Sequence, residues 1–127
     1  MNYRFHHIHL LCSDLEKTID FFTGILGATL LARKKFGAAD GAALDLNGSA
    51  VLLRVAAENE AVNTPAEGPA YGYHHLALSV DDTDAAYQRL GEQGVDLIAP
   101  PRNTPDGLRV AFFKGPDKIV FELVQTL

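Results

Sequence analysis

A chain of 127 residues and 13.7 kDa is sized for one domain, or two very small modules sharing a core, and can bury about two-thirds of its unfolded surface without disulfides. Its 47% apolar and 21% charged residues exclude disorder as the main state. Eleven Lys and Arg against 16 Asp and Glu give a net charge of −5 with no basic stripe, which argues against nucleic acid, and the single Cys12 excludes an internal disulfide.

The first predicted element is a strand over residues 7–12. It ends at Ser13-Asp14-Leu15-Glu16, whose Ser-x-x-Glu spacing predicts a capping box. Leu15, Ile19, Phe22 and Leu26 then recur at helical spacing, and Gly24 or Gly27 stops the helix. Strands are predicted over 29–36, 42–46 and 50–56, the last two joined by an Asn47-Gly48 turn. Residues 59–70 are rich in Pro, Gly, Glu and Asn and read as a linker. Beyond it the plan repeats. A strand over 75–80 leads to a cap at Asp81 or Asp82, and a helix follows with Ala86, Tyr87 and Leu90 on one face and Gly94 as its stop. Strands over 96–99, 109–114 and 119–124 complete the series, with a turn at Gly115-Pro116-Asp117-Lys118.

The repetition is literal at a shift of 68 residues. Tyr3 meets Tyr71, His6 meets His74, His7 meets His75 and Asp14 meets Asp82. Leu52 then meets Val120, Leu53 meets Phe121 and Arg54 meets Glu122. The expectation is one α+β domain over 1–127, built from two β-α-β-β-β modules, about 3–58 and 71–125. Fused copies should pack with approximate twofold symmetry and form a cup-shaped mixed sheet.

Polar residues inside apolar strands mark the candidate site. The first strands offer His7 and His75, and the last strands offer Arg54 and Glu122, since 54 + 68 = 122. Side chains alternate along a strand, so Leu53, Val55, Phe121 and Leu123 should face the helices and leave Arg54 and Glu122 on the concave face. Two imidazoles and a carboxylate suit Fe, Ni, Zn or Cu, and such a set leaves open positions for substrate or water. His9 lies on the face of His7 and reads either as an acid–base group or as a hydrogen-bonded wall residue. His6 and His74 should point the other way, as structural residues. Arg54 needs an anionic partner if it points inward, either Glu122 or a substrate carboxylate or phosphate. Tyr71, Tyr73, Phe36, Phe112 and Phe113 read first as core and second as pocket lining. The loop over 100–107 reads as solvated surface, with Arg102 or Arg109 available to an acidic group.

The opening His7-Ile8-His9-Leu10-Leu11-Cys12-Ser13-Asp14, the Gly24-Ile25-Leu26-Gly27 that follows, the second opening Tyr73-His74-His75-Leu76-Ala77-Leu78, and the closing Val120-Phe121-Glu122-Leu123 together resemble the vicinal oxygen chelate superfamily. That superfamily includes glyoxalase I, bleomycin-resistance proteins, fosfomycin-resistance enzymes, methylmalonyl-CoA epimerase and extradiol dioxygenases. The resemblance covers nearly the whole chain and implies a metal site of His7, His75 and Glu122; the residue reading adds His9 and Arg54 as candidate catalytic groups. Glyoxalase I and the epimerase usually carry Glu or Gln where Arg54 stands in this register. Arginine is no ligand, so the implied set is the His-His-Glu of dioxygenases and fosfomycin-resistance enzymes. The implied activity is that of a divalent-metal enzyme (Fe, Ni, Zn, Mn or Co) acting on a small molecule. It would be a lyase or isomerase of glyoxalase type, or an extradiol-type dioxygenase. The alternative is a non-catalytic protein that sequesters a drug or metabolite. A homodimer is implied, and cysteine usage with an N-terminus lacking a leader pattern predicts a cytoplasmic location without nucleic-acid or membrane partners.

Overall fold

A computed structural model describes all 127 residues. The chain divides into two compact units, Met1–Thr64 and Pro65–Leu127, and the division falls inside the predicted linker.

Unit 1 contains β1 (His7–Leu11), α1 (Leu15–Asp20), a π-helical turn (Phe21–Ile25), β2 (Thr29–Phe36), β3 (Ala39–Leu46) and β4 (Ser49–Arg54). Its four strands make one mixed sheet in the order β1-β4-β3-β2, with β1 parallel to β4 and the other pairs antiparallel. The helix starts one residue later than the capping box predicts. Asp14, not Ser13, is the N-cap, and its carboxylate accepts the Lys17 N–H at 3.0 Å. Glu16 turns away from the cap and forms a two-pronged ion pair with Arg33 on β2, at 2.5 and 2.9 Å. The helix then widens, because Leu26 N–H donates to the Phe21 carbonyl five residues back, at 3.2 Å. Ile19 and Phe22 are buried, with α1 lying over β3 and β4, where Ala42, Leu44, Val51 and Leu53 close the core.

Unit 2 repeats the plan with β5 (Leu76–Ser79), α2 (Thr83–Glu92), β6 (Asp96–Asn103), β7 (Leu108–Lys114), a short 3-10 turn (Pro116–Lys118) and β8 (Val120–Thr126), in the sheet order β5-β8-β7-β6. Asp82 is the N-cap, accepting the Ala85 N–H at 3.0 Å. Leu90, Val110, Ala111, Phe113, Phe121 and Leu123 are buried, with α2 over β6, β7 and β8. Phe113 and Phe121 face each other across the β7–β8 ladder, rings stacked at 5.1 Å. The predicted surface loop begins late. Pro100 and Pro101 belong to β6, an edge strand whose ladder slips at this point, where a missing N–H is tolerated. No helix of the chain is long and apolar enough to cross a membrane.

The two units correct the uniform 68-residue shift. Cys12 N–H donates to the Arg54 carbonyl at 2.8 Å, and Val80 N–H donates to the Val124 carbonyl at 2.9 Å. The first strands therefore correspond at 80 − 12 = 68, but the last strands correspond at 124 − 54 = 70. The pairs Gly41 with Arg54 and Val110 with Val124 set the third strands at 110 − 41 = 69. Burial agrees: Ala42 matches Ala111, Leu44 matches Phe113, Val51 matches Phe121 and Leu53 matches Leu123, every one of them buried. One added residue lies before β7. The other lies in the last turn, which has four residues between paired Asp45 and Ala50 and five between paired Lys114 and Val120. Arg54 therefore corresponds to Val124, and the counterpart of Glu122 is Leu52.

Candidate functional site

In unit 2 the β5–β8 register pairs Leu76 with Phe121 and Leu78 with Leu123, which places these apolar residues on the helix side. Ala77 pairs with Glu122, and Glu122 pairs with Phe112 on β7, so these three share the opposite face. His75, one residue before β5, reaches that face. Its Nε2 lies 3.3 Å from Glu122 Oε1, and the two side chains keep only 29% and 18% of their exposure. Phe112 backs the imidazole edge-to-face, with centroids 5.5 Å apart. On its other side His75 meets His74, Nδ1 to Nδ1, at 2.8 Å. His74 was expected on the far face. Instead its ring turns to its neighbour, because residues 74 and 75 precede the regular strand and escape its alternation.

Unit 2 also holds a hollow of about 590 Å³ that His74 and Phe112, the neighbours of His75, help to line, while His75 and Glu122 do not. Tyr73, Ile98, Ala99, Phe112 and Val120 give it apolar walls, and Lys114 stands at its margin. Lys118, also on the lining, is ion-paired with Glu67.

In unit 1 the β1–β4 register pairs His7 with Ala50, His9 with Leu52 and Leu11 with Arg54, so His7, His9 and Arg54 share one face as expected. His6 and His7 repeat the doublet of unit 2, again Nδ1 to Nδ1 at 2.8 Å. The ring of His9 lies 6.4 Å from that of His7 and 4.6 Å from that of Phe36. Phe36 can lie there because Gly41 has no side chain: a Cβ on Gly41 would stand 2.6 Å from the ring. Lys34 covers Phe36, its Nζ 4.9 Å from the ring centroid. The pKa of His9 is held below its ordinary value, first by burial and then by the charges of Arg54, His7 and Lys34.

The anionic partner of Arg54 is neither Glu122 nor an unfilled position. Arg54 donates to both oxygens of Glu60, at 2.6 and 2.9 Å, and Nη1 also donates to the Val55 carbonyl at 3.1 Å. Glu60 is fixed further by the Ala57 N–H at 3.1 Å, and Arg54 with that N–H pulls its carboxyl down to about 2. Arg109 is likewise occupied, by Asp84 on α2 and by Asn103 at 2.9 Å. Arg102 lies within β6, paired with Val110. Of the aromatic candidates, Phe113 is core, whereas Phe36 and Phe112 back His9 and His75. Glu60 and the ring-to-ring bonds of His6 and His74 escaped sequence reasoning. The repeated doublet was a usable signal for the histidines; Glu60 had none.

The donor chemistry fits a divalent first-row ion. Imidazole nitrogen and carboxylate oxygen bind such ions at about 2.0–2.2 Å, so two donors sharing one ion stand roughly 3 Å apart, close to the His75–Glu122 spacing. Neither unit by itself brings three or more His, Cys, Asp or Glu side chains into one metal-binding group.

The family model described as the Glyoxalase/Bleomycin resistance protein/Dioxygenase superfamily matches residues 4–123. The uncharacterized protein YwkD of Bacillus subtilis (strain 168) is 34% identical, over 94% of this chain and 94% of its own. A lactoylglutathione lyase of Neisseria meningitidis serogroup B is 30% identical, over 96% of this chain and 90% of its own. Among solved structures, a variant of the fosfomycin resistance protein FosX from Listeria monocytogenes, complexed with Mn(II) and a dihydroxypropylphosphonic acid, superposes with a TM-score of 0.76. It is 22% identical, over 100% of this chain and 95% of that one.

Proposed function

Because the chain belongs to the glyoxalase/bleomycin resistance protein/dioxygenase superfamily, we propose that it is a divalent-metal-dependent enzyme acting on a small molecule with two adjacent oxygens. The observation that carries this reading is the facing pair of His75 Nε2 and Glu122 Oε1 at 3.3 Å, largely shielded from solvent, with Phe112 backing the imidazole. His75, Glu122 and His7 are the residues assigned to hold the ion, the third donor coming from unit 1 of the same or a second copy. A bound ion supplies Lewis acidity, polarising the oxygens it chelates. The FosX complex with Mn(II) and the lyase relative support that chemistry, and the lyase relative favours the reading of a lyase or isomerase of glyoxalase type over a dioxygenase.

The chain's own residues divide the remaining work. His9, on the face of His7 and firm against Phe36, is the assigned acid–base group, moving a proton at an imidazole nitrogen. It takes the part a metal-site carboxylate would have, since Leu52, the counterpart of Glu122, has no proton to move. Arg54 is clamped by Glu60 rather than gripping substrate, and its charge adds to the burial that holds the His9 pKa below its ordinary value. The apolar hollow beside Phe112 takes the carbon skeleton of the substrate.

Titration calorimetry with Mn(II), Zn(II), Ni(II) and Fe(II) tests the assignment. The wild type is expected to bind one ion per site, and Glu122→Ala to lose at least tenfold in affinity while keeping its circular dichroism spectrum. Hemithioacetal and catechol assays on the loaded protein then separate lyase from dioxygenase. A wild type that binds none of the four ions removes the enzyme reading and leaves a protein that sequesters its ligand.

A further inference from the structure

Two histidines that the proposed chemistry does not use stand against two that it does. Adjacent residues inside a regular strand point to opposite faces, but His6 precedes β1 and both His74 and His75 precede β5, so alternation does not separate these rings. Here both doublets meet, and in the same way. His6 and His7 lie with ring centroids 5.1 Å apart and planes at 82°, and His74 and His75 at 5.1 Å and 83°. The Nδ1 atoms are 2.8 Å apart in each. Two imidazole nitrogens at that distance share one proton: one ring donates Nδ1–H and the other accepts with its lone pair. Unlike rings met by chance on a surface, these recur in two units whose other neighbours differ, Phe112 beside one and His9 beside the other.

We infer that His74 and His6 are positioning residues that orient His75 and His7 and fix which nitrogen each presents. This rests on the metal reading above. An ion held between His75 Nε2 and Glu122, 3.3 Å apart, would need the Nε2 lone pair, and His75 then keeps its proton on Nδ1 and donates it to His74. The same donation from His7 to His6 leaves the His7 Nε2 lone pair free. Each outer ring, accepting at Nδ1, then carries its own proton on Nε2. Metal-binding histidines usually give their second N–H to a carboxylate, a carbonyl or water, and removing that acceptor weakens metal affinity by about 10–100-fold. In this chain a second histidine fills the acceptor's place.

Two readouts test the inference. Calorimetry with Mn(II) and with Zn(II) is expected to show His74→Ala weakened by about 10–100-fold, with His74→Asn, whose Oδ1 still accepts, recovering most of the loss. Equal affinity in His74→Ala and wild type overturns the inference, as does an Asn variant no better than the Ala one. The second readout needs no metal. Proton–nitrogen correlation spectra of the metal-free protein are expected to show one protonated and one bare Nδ1 in each doublet. All four rings protonated only on Nε2 overturns the shared proton. Should the wild type bind neither ion, the metal reading falls, and the spectra still decide whether the doublets exist.

Discussion

Gly41 shows how one missing side chain shapes the His9 environment. A Cβ there would stand 2.4 Å from the Leu53 carbonyl oxygen and 2.6 Å from the Phe36 ring. The ring is a side chain and can swing aside, but the carbonyl belongs to the β3–β4 ladder and cannot. Gly41→Ala is therefore expected to destabilise the fold by about 1–3 kcal/mol, the usual range for overpacking. Adding Phe36→Ala should not restore the loss, because the tighter contact is with backbone. Urea denaturation of both variants checks this; full rescue by Phe36→Ala would mean that the ring alone sets the limit. The same contact explains the position of His9. Phe36 occupies the space over Gly41 and forms the wall on which the imidazole lies, 4.6 Å away. The setting of His9 depends on glycine's lack of volume, not on its backbone freedom.

At the scale of elements, Arg–carboxylate pairs fasten segments that backbone ladders leave loose. Arg33 on β2 holds Glu16 in the first turn of α1, and Arg109 on β7 holds Asp84 in the first turn of α2. Arg54 at the end of β4 holds Glu60 in the following segment. All three carboxyls are pulled below their ordinary pKa, chiefly by the guanidinium each accepts from, and Glu60 reaches about 2. A pKa lower in the folded than in the unfolded chain stabilises fully above the unfolded value, and the contribution disappears as pH falls through the folded one. Lowering pH from roughly 5 to roughly 2 should therefore lower the melting temperature of the wild type more steeply than that of Glu60→Gln. The pairs are exposed, so the difference should be small and should shrink with added salt. Parallel melting curves at low ionic strength would remove Glu60 from the acid response. These pairs also mark what the sequence could reveal. Strand and helix order was readable because apolar spacing and the repeat of His6-His7 and Asp14 at 68 residues are local signals. The partner of Arg54 was not, because Glu60 lies in a segment with no periodicity. Nor was the true counterpart of Glu122. An ungapped shift cannot register two single-residue additions, whereas the carbonyls accepting from Cys12 and Val80 can.

The whole molecule raises the question of what pairs with the sheet edges. In unit 1 the edges are β1 and β2, and in unit 2 they are β5 and β6. β2 carries Arg33, Lys34 and Lys35, and β6 carries Pro100 and Pro101, residues that blunt an edge against further pairing. β1 and β5 carry neither charge runs nor proline, and each follows exposed aromatic residues, Tyr3 and Phe5 before one, Tyr71 and Tyr73 before the other. His7 lies in β1, and His75 stands one residue before β5. A second copy of the chain associating along β1 and β5 would protect both edges and cover the aromatics, and it could supply His7 to the His75–Glu122 pair. Sedimentation equilibrium is therefore expected to give twice the 13.7 kDa chain mass. Tyr3→Glu combined with Tyr71→Glu is expected to shift the protein toward monomer. If His7 comes from the second copy, metal affinity should fall with that dissociation and recover as protein concentration rises. A metal affinity independent of concentration in the double variant would place all three ligands in one chain, and a wild type sedimenting at the mass of one chain would end the homodimer proposal.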